Sequence, residues 1–138
     1  MEYIVDNKNL TAEVFLEMMQ KVWKENYNPE CTKAALEKNI NITAWNGQLL
    51  VGYIRILTDG YYFGTITELL VIPEYQRNGI GKKLMELASE ATPTSLFFGA
   101  QPSTEAFYEK FGYLHGLASF SLKSKEKYKV YSTLLVIR

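Results

Sequence analysis

Cysteine is nearly absent from this chain. Cys31 stands alone among 138 residues, so neither a disulfide framework nor a cysteine-based zinc set is available. A small buried residue or an inert thiol is the expectation for it. Histidine is as scarce. His115 is the single one, no Gly-x-Ser-x-Gly elbow exists to partner it, and a surface or loop role is expected, with no metal site. An excess of one charge is missing too: fifteen basic and fifteen acidic side chains cancel. No global basic field argues for nucleic acid. No apolar run approaches the ~20 residues of a membrane span. Met1 to Asp6 lack the basic region and apolar core of a signal peptide. A cytoplasmic setting is therefore expected, with no membrane partner.

What is present suits one domain over residues 1–138. Hydrophobic residues make up 47% and charged residues 22%, enough for a single core. Ten Tyr, seven Phe and two Trp could fill that core or line a pocket.

Tyr3 to Asp6 reads as a short strand. Thr11 is a candidate N-cap, with Glu13 in the first turn. Ala12, Phe15, Met18, Met19, Val22 and Trp23 recur at helical spacing to about Lys24. Asn28-Pro29 breaks that helix, and Pro29 opens a second, to about Lys38. Ile40 to Trp45 and Gln48 to Leu57 are β-rich, joined by the hairpin signal Asn46-Gly47. Tyr62 to Ile72 is the next strand. A helix follows with Ile80, Leu84, Leu87, Ala88 and Ala91 on one face, stopped by Pro93. Ser95 to Ala100 reads as a strand buried on both faces. Strand, helix and strand within about forty residues make a βαβ crossover and a parallel pair. Ser103 to Phe111 fits a further helix with Ser103 as N-cap and Gly112 at its end. Tyr113 to Phe120 and Tyr128 to Ile137 read as two final strands around the solvated turn Lys123–Lys127. The order β-α-α-β-β-β-α-β-α-β-β is an α/β arrangement, a mixed sheet with helices on its faces.

The most informative stretch runs from Glu68 to Lys82. An apolar strand ends at Pro73, and Gly79-x-Gly81 opens a helix. That is how a fold offers backbone N–H groups to phosphate oxygens. A Walker loop fails, because Gln76 stands at its first glycine and Lys83 at its hydroxyl position. A dinucleotide fingerprint fails, because Leu84 stands at its third glycine. Gln/Arg-x-x-Gly-x-Gly/Ala is met by Gln76-Arg77-Asn78-Gly79-Ile80-Gly81.

With that loop, the preceding Leu69-x-Val71-x-Pro73-Glu74-Tyr75 and the later Ala106-Phe107-Tyr108-Glu109-Lys110-Phe111-Gly112-Tyr113, the chain resembles the GNAT superfamily of acetyl-CoA-dependent N-acetyltransferases. The resemblance covers nearly the whole chain. It implies a mostly antiparallel mixed sheet of about seven strands, a central parallel βαβ pair and about four helices. It also implies acetyl-CoA as co-substrate and no metal. Gln76, Arg77, Asn78, Gly79, Ile80, Gly81 and Lys82 would hold the pyrophosphate, largely through backbone donors from Arg77 to Lys82. By position, Leu69, Leu70 and Val71 fall on the kinked, bulged strand that supplies an N–H to the thioester oxygen. Tyr108 matches the family's tyrosine acid. Where members often carry Asn seven residues before that tyrosine, this chain has Gln101, which can make similar bonds on a longer stem.

The base is read from the residues. Glu68 sits in an otherwise apolar strand, in alternation with Ile66, Leu70 and Ile72, where partial burial would raise its pKa toward a useful range. The alternatives are that it faces a wet cleft or pairs with Arg55. Arg55 could instead meet an acidic group of the acceptor. Tyr61, Tyr62 and Phe63 could wall an acceptor pocket or be hairpin packing. The leading expectation is acetyl transfer to a primary amine of a small molecule. A protein or peptide amine is the alternative acceptor, and a non-catalytic acyl-CoA sensor is the competing class. A homodimer is compatible with the tyrosine-rich C-terminal strand.

Overall fold

The computed structural model describes residues 1–122. The expected strand Tyr128 to Ile137 and the turn Lys123–Lys127 lie outside the described residues. The elements are β1 (Glu2–Ile4), α1 (Ala12–Val22), α2 (Pro29–Glu37), β2 (Ile40–Asn46), β3 (Leu49–Thr58), β4 (Gly64–Val71), a 3-10 turn (Pro73–Tyr75), α3 (Ile80–Ala91), β5 (Leu96–Phe97) and α4 (Glu105–Lys110). The five strands form one sheet in sequence order, antiparallel except for the parallel pair β4–β5.

Local chemistry explains the helix starts. The Thr11 hydroxyl accepts from the Val14 N–H at 3.2 Å, satisfying one donor that the first turn of α1 leaves open. Asn28 does the same for Cys31 at 3.0 Å, and Pro29 at the first position needs no N–H partner. The apolar stripe Ala12, Phe15, Met18 and Met19 buries α1 on the sheet. Ile80, Leu84, Met85 and Ala88 bury α3. Strand β3 is fully covered from Leu50 to Ile54, as befits a central strand between two helical layers.

One contact sets the height of α3. A Cβ on Gly52 of β3 would stand 2.8 Å from Ile80 Cγ2, 3.1 Å from Leu84 Cδ1 and 3.2 Å from Ala44 Cβ. Only a residue without a side chain lets the helix sit that close.

Several expectations need correction. The β2–β3 loop is Gly47-Gln48, since Asn46 pairs with Leu49. Only Gly47 there has positive φ, at 63°, so the turn needs one left-handed residue rather than two. The strand expected over Ser95 to Ala100 shrinks to Leu96–Phe97, and Phe97 is half exposed. It pairs with β4 only at Gly64 and Thr65, and it ends the described sheet, so the parallel pair is not central among the described residues. Tyr113 to Phe120 forms no strand among the described residues; Leu114, Leu117 and Phe120 are exposed. A strand needs a ladder partner, and the hairpin partner expected for this one lies beyond residue 122. Ser103 is not the N-cap of α4. It takes a positive φ of 75°, and Thr104 precedes the helix, its hydroxyl donating to the Gln101 carbonyl at 2.6 Å. Cys31 is exposed.

Candidate active site

Strand β4 carries one residue too many. Glu68 pairs with Arg55 and Ile66 with Ile56, so Thr67 has no opposite number and forms a β-bulge. The bulge reverses the phase of the strand. Ile66 and Leu69 lie opposite Ile56 and Ile54, on one face. Glu68 lies opposite Arg55, on the other. The alternation that grouped Glu68 with Ile66 is thus broken at Thr67, which sequence reading missed because alternation alone cannot reveal an inserted residue.

The ladder also fixes which backbone groups face outward. Ile72 N–H donates to the Val51 carbonyl at 3.0 Å, and Tyr53 pairs with Leu70. By antiparallel alternation Leu70 bonds toward β3, while Leu69 and Val71 turn their N–H and C=O groups away from it. No strand lies on that outer edge past Thr65 among the described residues. The Val71 carbonyl there accepts from the Gln76 side chain at 2.9 Å. Gln76 thereby stitches the loop to the end of the strand.

The loop itself is wound for close approach. Arg77 has φ 66° and Gly79 φ 80°. The first is an uncommon conformation for a residue with a Cβ, and such local strain gathers at functional sites. The Asn78 amide donates to the Tyr75 and Gln76 carbonyls at 3.2 and 3.3 Å, and Asn46 donates to the Tyr75 hydroxyl at 2.6 Å. Gly79 caps α3 without any side-chain bond. The opening N–H groups of the helix are left for an anion, with the helix dipole behind them. Lys82 lies in that first turn, 3.5 Å from Glu86 Oε1, with its ammonium 5.4 Å from the Phe111 ring centre. That contact joins the end of α4 to the start of α3.

Tyr108 of α4 is buried, and its hydroxyl has no hydrogen-bond partner. Its ring lies 4.9 Å from Phe98 and 5.2 Å from Phe107. Burial pushes its phenol above the ordinary value, and Tyr113 adds to the rise. Gly112, at φ 79°, ends the helix. Gln101 contributes its carbonyl to the start of α4, accepting from the Thr104 N–H at 3.0 Å.

Glu68 does pair with Arg55, at 3.4 Å between Oε1 and Nη1. Its other oxygen, Oε2, is buried without a partner, as is Thr67 Oγ1 beside it in sequence. Burial raises the Glu68 pKa and Arg55 opposes that; burial wins. Glu68 and Tyr108 stand on different elements. His115 is exposed and lies 3.6 Å from Glu109. Tyr61, Tyr62 and Phe63 are exposed at the β3–β4 turn, with Phe63 stacked on Phe97 at 5.7 Å. No helix among the described residues is long and apolar enough to cross a membrane.

The uncapped helix start is the geometry expected from the Gly79-x-Gly81 motif; the bulge that the resemblance implied for Leu69 to Val71 lies just before them, at Thr67. The family model described as an acetyltransferase (GNAT) domain matches residues 6–119. The chain belongs to the GNAT family. It is similar to the uncharacterized N-acetyltransferase ycf52 of Pyropia yezoensis, 29% identical over 69 residues, or 47% of this chain and 40% of that protein. Another curated relative, from Gibberella zeae, is matched over 23% of its length, so the chain covers less than half of either. Among solved structures, the GNAT family protein SP0256 from Streptococcus pneumoniae TIGR4 superposes with TM-score 0.72 at 24% identity, covering 91% of this chain and 100% of that one. An aminoglycoside 6'-N-acetyltransferase from Acinetobacter haemolyticus superposes with TM-score 0.65 at 12% identity, over 92% of this chain and 100% of that one. These structural likenesses speak for the GNAT fold.

Proposed function

We propose that this GNAT protein transfers acetyl from acetyl-CoA to the primary amine of a small molecule, by direct attack with both substrates bound. The observation that carries the reading is the open edge of β4 running into the uncapped start of α3. The pyrophosphate suits the N–H groups at the start of α3, with Arg77 and Lys82 adding positive charge. The pantetheine arm suits the outward backbone groups of Leu69 and Val71. An N–H on that edge stabilises the oxyanion as the thioester carbonyl is attacked.

Two side chains handle protons. The ammonium gives its first proton to solvent, because only the neutral amine has a lone pair, and Glu68 takes, directly or through water, the proton that the nitrogen loses as it becomes an amide. The amine nitrogen bonds to the carbonyl carbon, the carbon–sulfur bond breaks, and Tyr108 gives its proton to the departing thiolate. An amide and free CoA result.

CoA release measured with a panel of small amines and peptide amines tests this. The reading expects at least one small amine to speed release, and Tyr108→Phe and Glu68→Gln each to slow it. Acetyl-CoA binding that no amine turns into release would favour the non-catalytic sensor class instead. Release driven only by peptides would move the acceptor to a protein amine.

A further inference from the structure

Glu68 is the end of a buried polar chain that crosses four elements, β4, β3, β2 and α2. The Arg55 Nε donates to the Tyr53 hydroxyl at 2.9 Å. Tyr53 donates in turn to Asn41 Oδ1. The Asn41 amide donates to the Leu36 carbonyl, in the last turn of α2, at 2.7 Å. Arg55 is also held by ring faces: its guanidinium lies 5.4 Å from the Phe15 ring centre and 5.7 Å from that of Tyr53. Its side chain is only 13% exposed. Each group along the chain has a partner until Glu68, where Oε1 is paired and Oε2 is not.

Two other roles for these residues fail on this geometry. Arg55 is already engaged by Tyr53 and Glu68 and lies against the Phe15 and Tyr53 rings, so it does not serve as a subsite for an acidic acceptor. Tyr53 has its proton committed to Asn41 and its lone pair to Arg55, so it does not act as an acid toward the substrates.

We infer that Arg55 is a positioning residue for Glu68: it holds Oε1 and so fixes the carboxylate in one orientation, and Tyr53 locks Arg55 in that pose. The inference rests on Glu68 as the base. The charge that acts on Glu68 is that of Arg55 on β3, and Glu68 acts in turn on Tyr53 of the same strand. Asn41 from β2 and Phe15 from α1 complete the chain and do not titrate. Arg55 thus has two separable effects. Its charge favours the carboxylate, and its two anchored nitrogens aim it.

The test combines an NMR titration of the Glu68 carboxyl in the free protein with pH profiles of kcat and KM, for wild type, Arg55→Met, Arg55→Lys, Tyr53→Phe and Glu68→Gln. Arg55→Met is expected to move the Glu68 titration upward, carry the acid limb of kcat/KM with it, and lower kcat by about 10²-fold, the scale of a misplaced reacting group. The KM for acetyl-CoA stays within about twofold, since the Arg55 side chain meets Tyr53, Phe15 and Glu68 and not the backbone groups or the loop proposed to hold the donor. Arg55→Lys restores the titration but not the full kcat, because an ammonium cannot make both contacts. Tyr53→Phe leaves the titration near wild type and lowers kcat. Should Arg55→Met fail to fold, Arg55→Lys and Tyr53→Phe decide alone. A lysine variant with wild-type kcat, together with a phenylalanine variant with wild-type kcat, overturns the inference. So does an Arg55→Met protein that folds with titration and acid limb unmoved. A fully active Glu68→Gln overturns the base reading itself, and the inference with it, which the arginine variants cannot mimic.

Discussion

Gly52→Ala is expected to disturb the donor site from the far side of a helix. The added methyl would stand 2.8 Å from Ile80 Cγ2, a distance real Cβ contacts do not keep, and 3.1–3.2 Å from Leu84 and Ala44. Ile80 is the first residue of α3, and all three neighbours are buried. Rotation of a β-branched side chain offers little relief in a helix, so α3 must lift from β3. Overpacking of this kind costs about 1–3 kcal/mol. Replacing glycine in an extended strand returns about 0.4–1 kcal/mol by restricting the unfolded chain. The net expectation is a loss of roughly 1–2 kcal/mol, read as a lower urea midpoint with unchanged slope. The Gly79–Lys82 turn moves with α3, so the affinity for acetyl-CoA falls as well, measured by calorimetry on the folded variant. Ile80→Ala beside it removes the clashing group, so the double variant should lose less than the sum of the singles. A Gly52→Ala protein more stable than wild type by the full backbone gain, with unchanged acetyl-CoA affinity, would refute the reasoning, because it would mean the space was there.

Tyr108→Phe should separate stability from turnover. The hydroxyl is buried without a partner, so removing it is expected to leave stability unchanged or raised by up to about 1–3 kcal/mol, while kcat falls about 10²–10⁴-fold. Destabilisation in a urea melt would contradict that view of the hydroxyl. Glu68→Gln tests the electrostatics through pH. The folded-state pKa of Glu68 is raised above its ordinary 4.5, so folding favours the protonated carboxyl. Its contribution is fully present below about 4.5 and is lost as pH rises through the folded value. The stability of wild type relative to Glu68→Gln should therefore decline as pH climbs above about 4.5. A difference independent of pH, followed by urea midpoints, would count against the buried carboxyl.

The parts of the site that depend on local chemistry were legible. Gly79 and Gly81, the stop at Pro73 and the helical stripe from Ile80 marked the loop, and Thr11 and Asn28-Pro29 marked two helix starts. What stayed hidden was set by register. Nothing in the identity of Thr67 shows that it is an extra residue, yet it decides which face Glu68 occupies. Gln76 belongs to the loop by its place in the sequence, but nothing there shows that its side chain ties the loop to the Val71 carbonyl. Arg77 gave no signal of its left-handed backbone, since glycine is the usual marker of that conformation. The chain from Arg55 through Tyr53 to Asn41 joins residues up to fourteen apart on paired strands; only the pairing brings them onto one face. The strand expected over Tyr113 to Phe120 followed its apolar content, but a strand is made by its partner.

The central claim is that the loop from Gln76 to Lys82 and the open edge of β4 bind acetyl-CoA. A calorimetric titration of the wild-type protein with acetyl-CoA, with ATP as the comparison ligand, tests it most directly. The account predicts saturable binding of acetyl-CoA and a much weaker response to ATP, which shares the phosphates but lacks the pantetheine arm. No response to acetyl-CoA and clear binding of ATP would contradict it.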